Sequence, residues 1–396
     1  MTESSANWLI HNVNIVLEDR VVSGSVVVAD GKIAQVISED DKEAAEAVTK
    51  ELSSIDGQGG WLLPGFIDVH VHGGFGADFM DASRESFDTI TKYHASQGTT
   101  GMLATTMTAS KEAIEDVLQA VAEYRSDNMP YAALCGVHLE GPFISEKWPG
   151  AQNPAFIKDP QLEWMKKWDA KYPGLIRQLT LAPEKSGAIE TIAWLAEQGI
   201  NTACGHTDAV YEEVIAAADA GLSQAVHTFN AMRGLHHREP GTLGAVLTDD
   251  RIAAELIADG IHVHPAAIRL VLAAKPADKV ILITDAMAAA GMPDGEYSLG
   301  GLAVIVKEGE ARLREGNALA GSCLTMIGAV RYILENSNLT MTEISRLASG
   351  NAAKQLGISD RTGSIAKGKQ ADLVWTDASL NVRQTWVQGR TVYEAR

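Results

Sequence analysis

The stretch GFIDVHVHGG, residues 65–74, sets the terms for the rest of the chain. An apolar run of Phe66, Ile67 and Val69 ends in two histidines one residue apart, and two glycines follow at once. Residues i and i+2 of an extended strand point to the same face. His70 and His72 therefore share one side at the end of a strand. Two neutral imidazoles buried there without partners would be costly. The interior that receives them must contain something that answers both rings.

The same grammar recurs along the chain. After GFIDVHVH come TTGMLATTMT, AALCGVHLEG, LIRQLTLAPE, INTACGHTD, SQAVHTFNAM, AAELIADGIH and KVILITDAM. Between them lie longer stretches with apolar residues near helical spacing, such as SKEAIEDVLQAVAEYR (110–125) and AIETIAWLAEQG (188–199). Eight such alternations fit a closed parallel barrel better than an open sheet. The expected fold is α/β, a (β/α)8 TIM-type barrel over residues 64–370.

In such a barrel the chemistry sits at the C-terminal mouth of the strands. Strand one ends in His70 and His72, strand three in Glu140, strand five in His206, strand six in His227 and strand eight in Asp285. A lone His-x-His is a weak signal. Four histidines, a glutamate and an aspartate at the mouths of one barrel are a strong one, because the chain has only 11 histidines. Together they offer a nitrogen and oxygen shell suited to Zn²⁺ or a similar divalent cation. His138, two residues before Glu140, reads as a supporting or core hydrogen bond, and Cys204 as a small buried hydrophobe.

Both ends of the chain differ from this middle. WLIHNVNIVL and SGSVVVADGKIAQVI read as strands, with Asp30-Gly31 as a hairpin turn. The tail from ADLVWTDASL to QTWVQGRTVYEAR returns to the same pattern. Residues 1–63 and 371–396 are expected to form one small β-sandwich domain. Within it the charged, Ala-rich stretch 39–53 suits a surface helix or loop, and Glu39-Asp40-Asp41 a solvated face.

The formal net charge is −18, which argues against nucleic acid or an anionic membrane as the main partner. An anionic small molecule stays open, since a local cluster of Arg and His can oppose the global field. Cys135, Cys204 and Cys323 make no disulfide framework. No signal peptide is evident, and no stretch approaches the roughly 20 apolar residues that span a bilayer. A reducing cytoplasm is the expected compartment.

The motifs PGFIDVHVHG, HLEGPF, GHTDA, HTFNAM, HHREPG, ADGIHVHP, LITDAM and LAGSCLTM, in that order, resemble the amidohydrolase superfamily. Within it they are most similar to the N-acetylglucosamine-6-phosphate deacetylases, and close to the deacetylases of the galactosamine epimer. The resemblance implies metal-dependent hydrolysis of the acetamide on a 6-phosphorylated amino sugar. It implies Glu140, His206 and His227 as ligands of the principal metal, His70 and His72 as ligands of a second, and Asp285 as the catalytic acid and base. One or two ions per subunit fit this set.

For the substrate it implies contacts from Ala151, Gln152, Asn230, Ala231, Asp259 and His262, and from Leu319, Ala320 and Gly321 in a loop that closes over the sugar. Arg238 is the leading phosphate ligand. In relatives part of this pocket comes from a neighbouring subunit, which implies a homodimer. One departure stands out: Gln152 occupies a position where the family usually carries His, so no protonated imidazole can steady an oxyanion there. Three alternatives remain: the galactosamine epimer as substrate, a non-catalytic protein on the same fold, and a different amidohydrolase such as a cyclic-amide hydrolase.

Overall fold

The structure is a computed structural model that describes residues 7–41 and 52–395. Most of the stretch 39–53, expected as a surface helix or loop, lies outside the described residues. All eight expected strands are present in one parallel sheet, in chain order: β5 (Phe66–Val71), β6 (Thr99–Thr106), β7 (Ala133–Glu140), β8 (Ile176–Leu181), β9 (Asn201–Cys204), β10 (Gln224–Ala225), β11 (Ala253–Ile257) and β12 (Val280–Ile283). The ring closes between β5 and the chain just beyond β12. Asp285 N donates to His70 O at 2.9 Å and His72 N to Ala286 O at 2.8 Å. That closure sets His70, His72 and Asp285 side by side.

Helices ring the barrel. Helix α1 (Arg84–Ala95) starts at Ser83 and helix α2 (Lys111–Ser126) at Ser110. Each serine side chain accepts from a backbone N–H of the first turn, which satisfies one of the helix's unpaired donors. Helix α3 is Ala188–Glu197. Thus both helical stretches singled out in the sequence are helices. Their apolar faces, with Ile114, Val117, Leu118, Ile192 and Leu195, are buried in the main core. No described helix is long and apolar enough to cross a membrane.

The two ends of the chain build one seven-stranded sheet from β1 (Trp8–Val16), β2 (Val21–Ala29), β3 (Lys32–Ser38), β4 (Ser53–Pro64), β16 (Leu373–Thr376), β17 (Val382–Val387) and β18 (Arg390–Glu394), in the order β18-β17-β16-β4-β1-β2-β3. A flat sheet would hold β1 and β17 far apart, yet Trp8 stacks on Trp386 with ring centroids 4.7 Å apart. Trp8 Nε1 also donates to Gly389 O at 2.8 Å. The sheet therefore folds over on itself around Ile10, Val26, Val28 and Leu373. At the β2–β3 turn Asp30 and Gly31 both have positive φ, as the tight hairpin requires.

A further sheet lies outside the βα reading: β13 (Gly295–Leu299), β14 (Leu302–Lys307) and β15 (Glu310–Leu313), antiparallel. Its turns, Gly300-Gly301 and Glu308-Gly309, have positive φ throughout. Its buried face packs Leu299, Val304, Val306 and Ala311 with Met107, Ala151, Met287 and Ala320, beside the barrel mouth.

Candidate metal centre and active site

Glu140 ends β7 with its carboxylate buried at the mouth. Its Oε1 lies 3.2 Å from His206 Nε2 and 3.1 Å from His227 Nε2, and those two nitrogens are 3.1 Å apart. On the far side of each ring Nδ1 meets a backbone carbonyl, Trp148 O at 3.0 Å for His206 and Asn230 O at 3.2 Å for His227. A carbonyl oxygen only accepts, so Nδ1 carries the proton and Nε2 presents a lone pair. Two lone pairs and a carboxylate oxygen thus converge, which is repulsive without a cation between them. Bonds of about 2.0–2.1 Å to a tetrahedral ion set ligand atoms roughly 3.3 Å apart, close to the spacing seen.

A second triplet shares Glu140. His70 Nε2 is 3.2 Å from Glu140 Oε1, and His72 Nε2 is 3.2 Å from Glu140 Oε2. Asp285 Oδ1 lies 3.2 Å from His72 Nε2 and 3.5 Å from His70 Nε2. Though buried, His70 Nε2 makes no hydrogen bond, nor does His72 Nδ1. Both triplets, His70–His72–Glu140 and Glu140–His206–His227, are compact enough to hold a divalent ion. The electrostatics agree. Burial pushes His72 down, yet the hydrogen bonds to Asp285 and Glu140 outweigh it and hold the ring at about 9. Burial likewise pushes Glu140 up, but the charge on neighbouring His70 in the metal-free site keeps it well below the ordinary carboxylate range. The cluster attracts positive charge, and a divalent ion can displace the protons that otherwise supply it.

The backbone is strained where the ligands leave their strands. His206, His227 and Asp285 have φ of 48°, 28° and 51°. Such left-handed residues cost of order 1–3 kcal/mol each and persist only where the surroundings fix them. Here Ser322 N donates to Asp285 O at 2.7 Å and Ser145 N to His206 O at 2.8 Å. Gly150 is needed beside the cluster, since its φ is +54° and an added Cβ would sit 3.2 Å from His206 Cε1.

A cavity of about 430 Å³ opens above the cluster. Of the expected substrate residues, Ala151, Gln152, Asn230, Ala231, His262, Leu319 and Gly321 line it. Ala320 is buried in the core behind it. Asp259 stands behind His262: its Oδ2 meets His262 Nδ1 at 2.6 Å, and its Oδ1 accepts from His262 N. Burial lowers the His262 ring, but Asp259 more than reverses this. Arg238 does not line the cavity of its own chain; it is exposed beside His237.

Other lining residues escaped the sequence reading. Lys147, Leu299 and Arg312 all border the cavity. The signal for Arg312 was the Gly300-Gly301 and Glu308-Gly309 turns between alternating runs, which mark hairpins. Asp208, in GHTDA, ties two rim loops together by accepting from Lys147 Nζ, Trp148 Nε1 and Arg233 Nη2. His138 does act in support, 2.8 Å from Thr180 Oγ1 and edge-on to His70. Burial lifts the Cys204 thiol to about 12, as befits an inert core residue.

The amidohydrolase family profile matches residues 61–392. The chain is 43% identical over 390 residues to the N-acetylglucosamine-6-phosphate deacetylase of Bacillus subtilis (strain 168), covering 97% of each. It is 39% identical over 363 residues to the N-acetylgalactosamine-6-phosphate deacetylase of Escherichia coli O157:H7, covering 92% of this chain and 93% of the relative. An aspartate-to-alanine variant of the Mycobacterium smegmatis N-acetyl-D-glucosamine-6-phosphate deacetylase, solved with N-acetyl-D-glucosamine-6-phosphate, matches with a TM-score of 0.91 at 31% identity, over 98% of this chain and 99% of that one. With a histidine- and carboxylate-ringed barrel mouth and a profile match over most of its length, the chain belongs to the amidohydrolase family.

Proposed function

We propose that this protein removes the acetyl group from N-acetylglucosamine 6-phosphate, yielding glucosamine 6-phosphate and acetate. The observation that carries the reading is the meeting of Glu140, His206 and His227 with Asp285 on the floor of a sugar-sized cavity. Relatives named for this reaction match nearly end to end.

Glu140, His206 and His227 hold the principal cation, and His70 and His72 extend the site toward a second. Zn²⁺ suits this donor set. A divalent ion bound there supplies a water of lowered pKa and polarises the acetamide carbonyl. Asp285 takes a proton from the attacking water at Oδ1 and returns it to the amine nitrogen, a poor leaving group until protonated. Burial would raise the Asp285 carboxyl, but in the metal-free site the charged His70 and His72 rings outweigh it and lower the carboxyl, and a divalent cation there would supply positive charge in their place.

Gln152 replaces a histidine as donor to the developing oxyanion. Its Oε1 accepts from Thr108 N at 2.7 Å, which fixes the amide, and its Nε2 lies 2.6 Å from Glu140 Oε2. One N–H faces the carboxylate, and the other makes only a long contact with Met107 Sδ at 4.0 Å, which a substrate oxygen can replace. His262, held by Asp259, serves the phosphate from within the chain. Arg238 serves it from a neighbouring subunit, whose guanidinium fork matches phosphate oxygens, so the active unit is a homodimer. A cytoplasmic setting accords with three free cysteines.

The test is acetate release from both hexosamine 6-phosphates by purified protein of measured metal content. Faster turnover of the gluco epimer by metal-loaded protein is expected. A clear preference for the galacto epimer would reassign the substrate, as the Escherichia coli relative allows. No acetate from either, with no bound ion, would leave a non-catalytic protein.

A further inference from the structure

The barrel interior beneath the metal centre is polar where such barrels are usually filled with branched apolar side chains. Glu255 on β11 is buried with no exposed surface, amid the apolar run AAELI. Burying a lone carboxylate costs several kcal/mol, so its partners show what it is for. Oε1 accepts from Gln178 Nε2 at 2.9 Å and from Gln224 Nε2. Gln224 Nε2 also donates to Gln178 Oε1 at 2.9 Å, which locks the pair of amides. The remaining oxygen, Oε2, lies 2.9 Å from His70 Nδ1. Three strands thus give inward positions to one device, whose carboxylate reaches the His70 ring and whose Gln178 also touches His138 Nε2 at 3.4 Å.

The contrast with the other ligands is specific. His206 and His227 rest their Nδ1 on neutral backbone carbonyls. His70 rests its Nδ1 on a carboxylate, and its Nε2, turned toward Glu140 and Asp285, has no hydrogen bond. We propose that Glu255 is a positioning residue: with Gln178 and Gln224 it holds His70 in the Nδ1-protonated form, aims the Nε2 lone pair at the cation, and so makes His70–His72–Glu140 a metal half-site in its own right. A carboxylate behind a ligating imidazole fixes its orientation and raises its basicity, and losing it commonly weakens metal binding by roughly 10–100-fold. This rests on the metal-dependent reading above.

The experiment titrates full-length apo protein with Zn²⁺ in chelator buffers, for wild type, Glu255→Gln and Glu255→Asp. Wild type is expected to take up two ions. In Glu255→Gln the weaker ion should lose about 10–100-fold in affinity while the ion on Glu140, His206 and His227 is kept. Glu255→Asp, which keeps the charge, should recover part of the loss. Nitrogen-detected NMR of the imidazoles in zinc-loaded wild type gives a readout independent of variant folding, and should show His70 protonated at Nδ1 and ligated through Nε2. Equal affinities in wild type and Glu255→Gln overturn the inference. So do equal weakening of both ions, a wild type that never exceeds one, or His70 protonated at Nε2. A wild type that binds no ion and releases no acetate sinks the functional reading instead.

Discussion

Replacing Asp285 by Asn removes a proton acceptor and almost no volume. The backbone at this position is pinned on both sides, by Asp285 N to His70 O at 2.9 Å and Ser322 N to Asp285 O at 2.7 Å. The new amide should therefore stay where the carboxylate was. It cannot take a proton from water or hand one to the departing amine. General acid–base catalysis contributes about 10²–10⁴-fold, or roughly 3–5 kcal/mol of barrier. We predict a fall in kcat within that range and a KM changed less than about threefold, because the sugar and phosphate contacts lie elsewhere. The assay is acetate release at saturating substrate, with metal content measured on the same samples. The ion on Glu140, His206 and His227 should be retained. A kcat within about tenfold of wild type refutes the proton-transfer role. Loss of that ion together with activity refutes the division between ligand and base.

Three further outcomes are expected. Arg238→Ala should raise KM for the phosphorylated substrate by roughly 10–100-fold, the worth of a charge-assisted hydrogen bond, without changing turnover of the unphosphorylated sugar. An equal loss on both would show that the loop, and not the phosphate contact, was damaged. Gln152→Leu should lower kcat by about 10²-fold, the usual effect of removing one oxyanion donor, and unchanged kcat in steady-state assays would remove Gln152 from that role. His94, buried on α1 with Nε2 3.0 Å from Gly73 O, is held down at about 4 by burial, against an ordinary 6.5. Its folded value lies below its unfolded one. Its share of stability is therefore complete above pH 6.5 and lost as pH falls toward 4, about 3 kcal/mol in all. Urea unfolding of wild type and His94→Gln at about pH 7 and about pH 4 should show the larger acid loss in wild type, and equal losses would contradict the sign.

The barrel was legible because the strands are short apolar runs, most of them closed by polar or small residues. Even β10, two residues long, announced itself through AVHTFNAM. The cluster was legible for the same reason, since His70, His72, Glu140, His206, His227 and Asp285 all stand at strand ends. Less visible was anything that depends on which side chains face each other inside the ring. Glu255 sits within an apolar strand and looks like an interruption until Gln178 and Gln224 are placed beside it. His94 reads as an ordinary helix residue until α1 is packed against Gly73. The left-handed turns at His206, His227 and Asp285 carry no glycine to mark them. The exposed position of Arg238, outside the cavity, could not be inferred from HHREPG.

The proposed chemistry stands on one cation shared by Glu140, His206 and His227. Anomalous diffraction from crystals of the zinc-loaded protein, recorded on both sides of the zinc edge, tests it most directly. A peak is expected about 2.0–2.2 Å from Glu140 Oε1, His206 Nε2 and His227 Nε2. Full zinc occupancy in solution with no peak among those three atoms would contradict it.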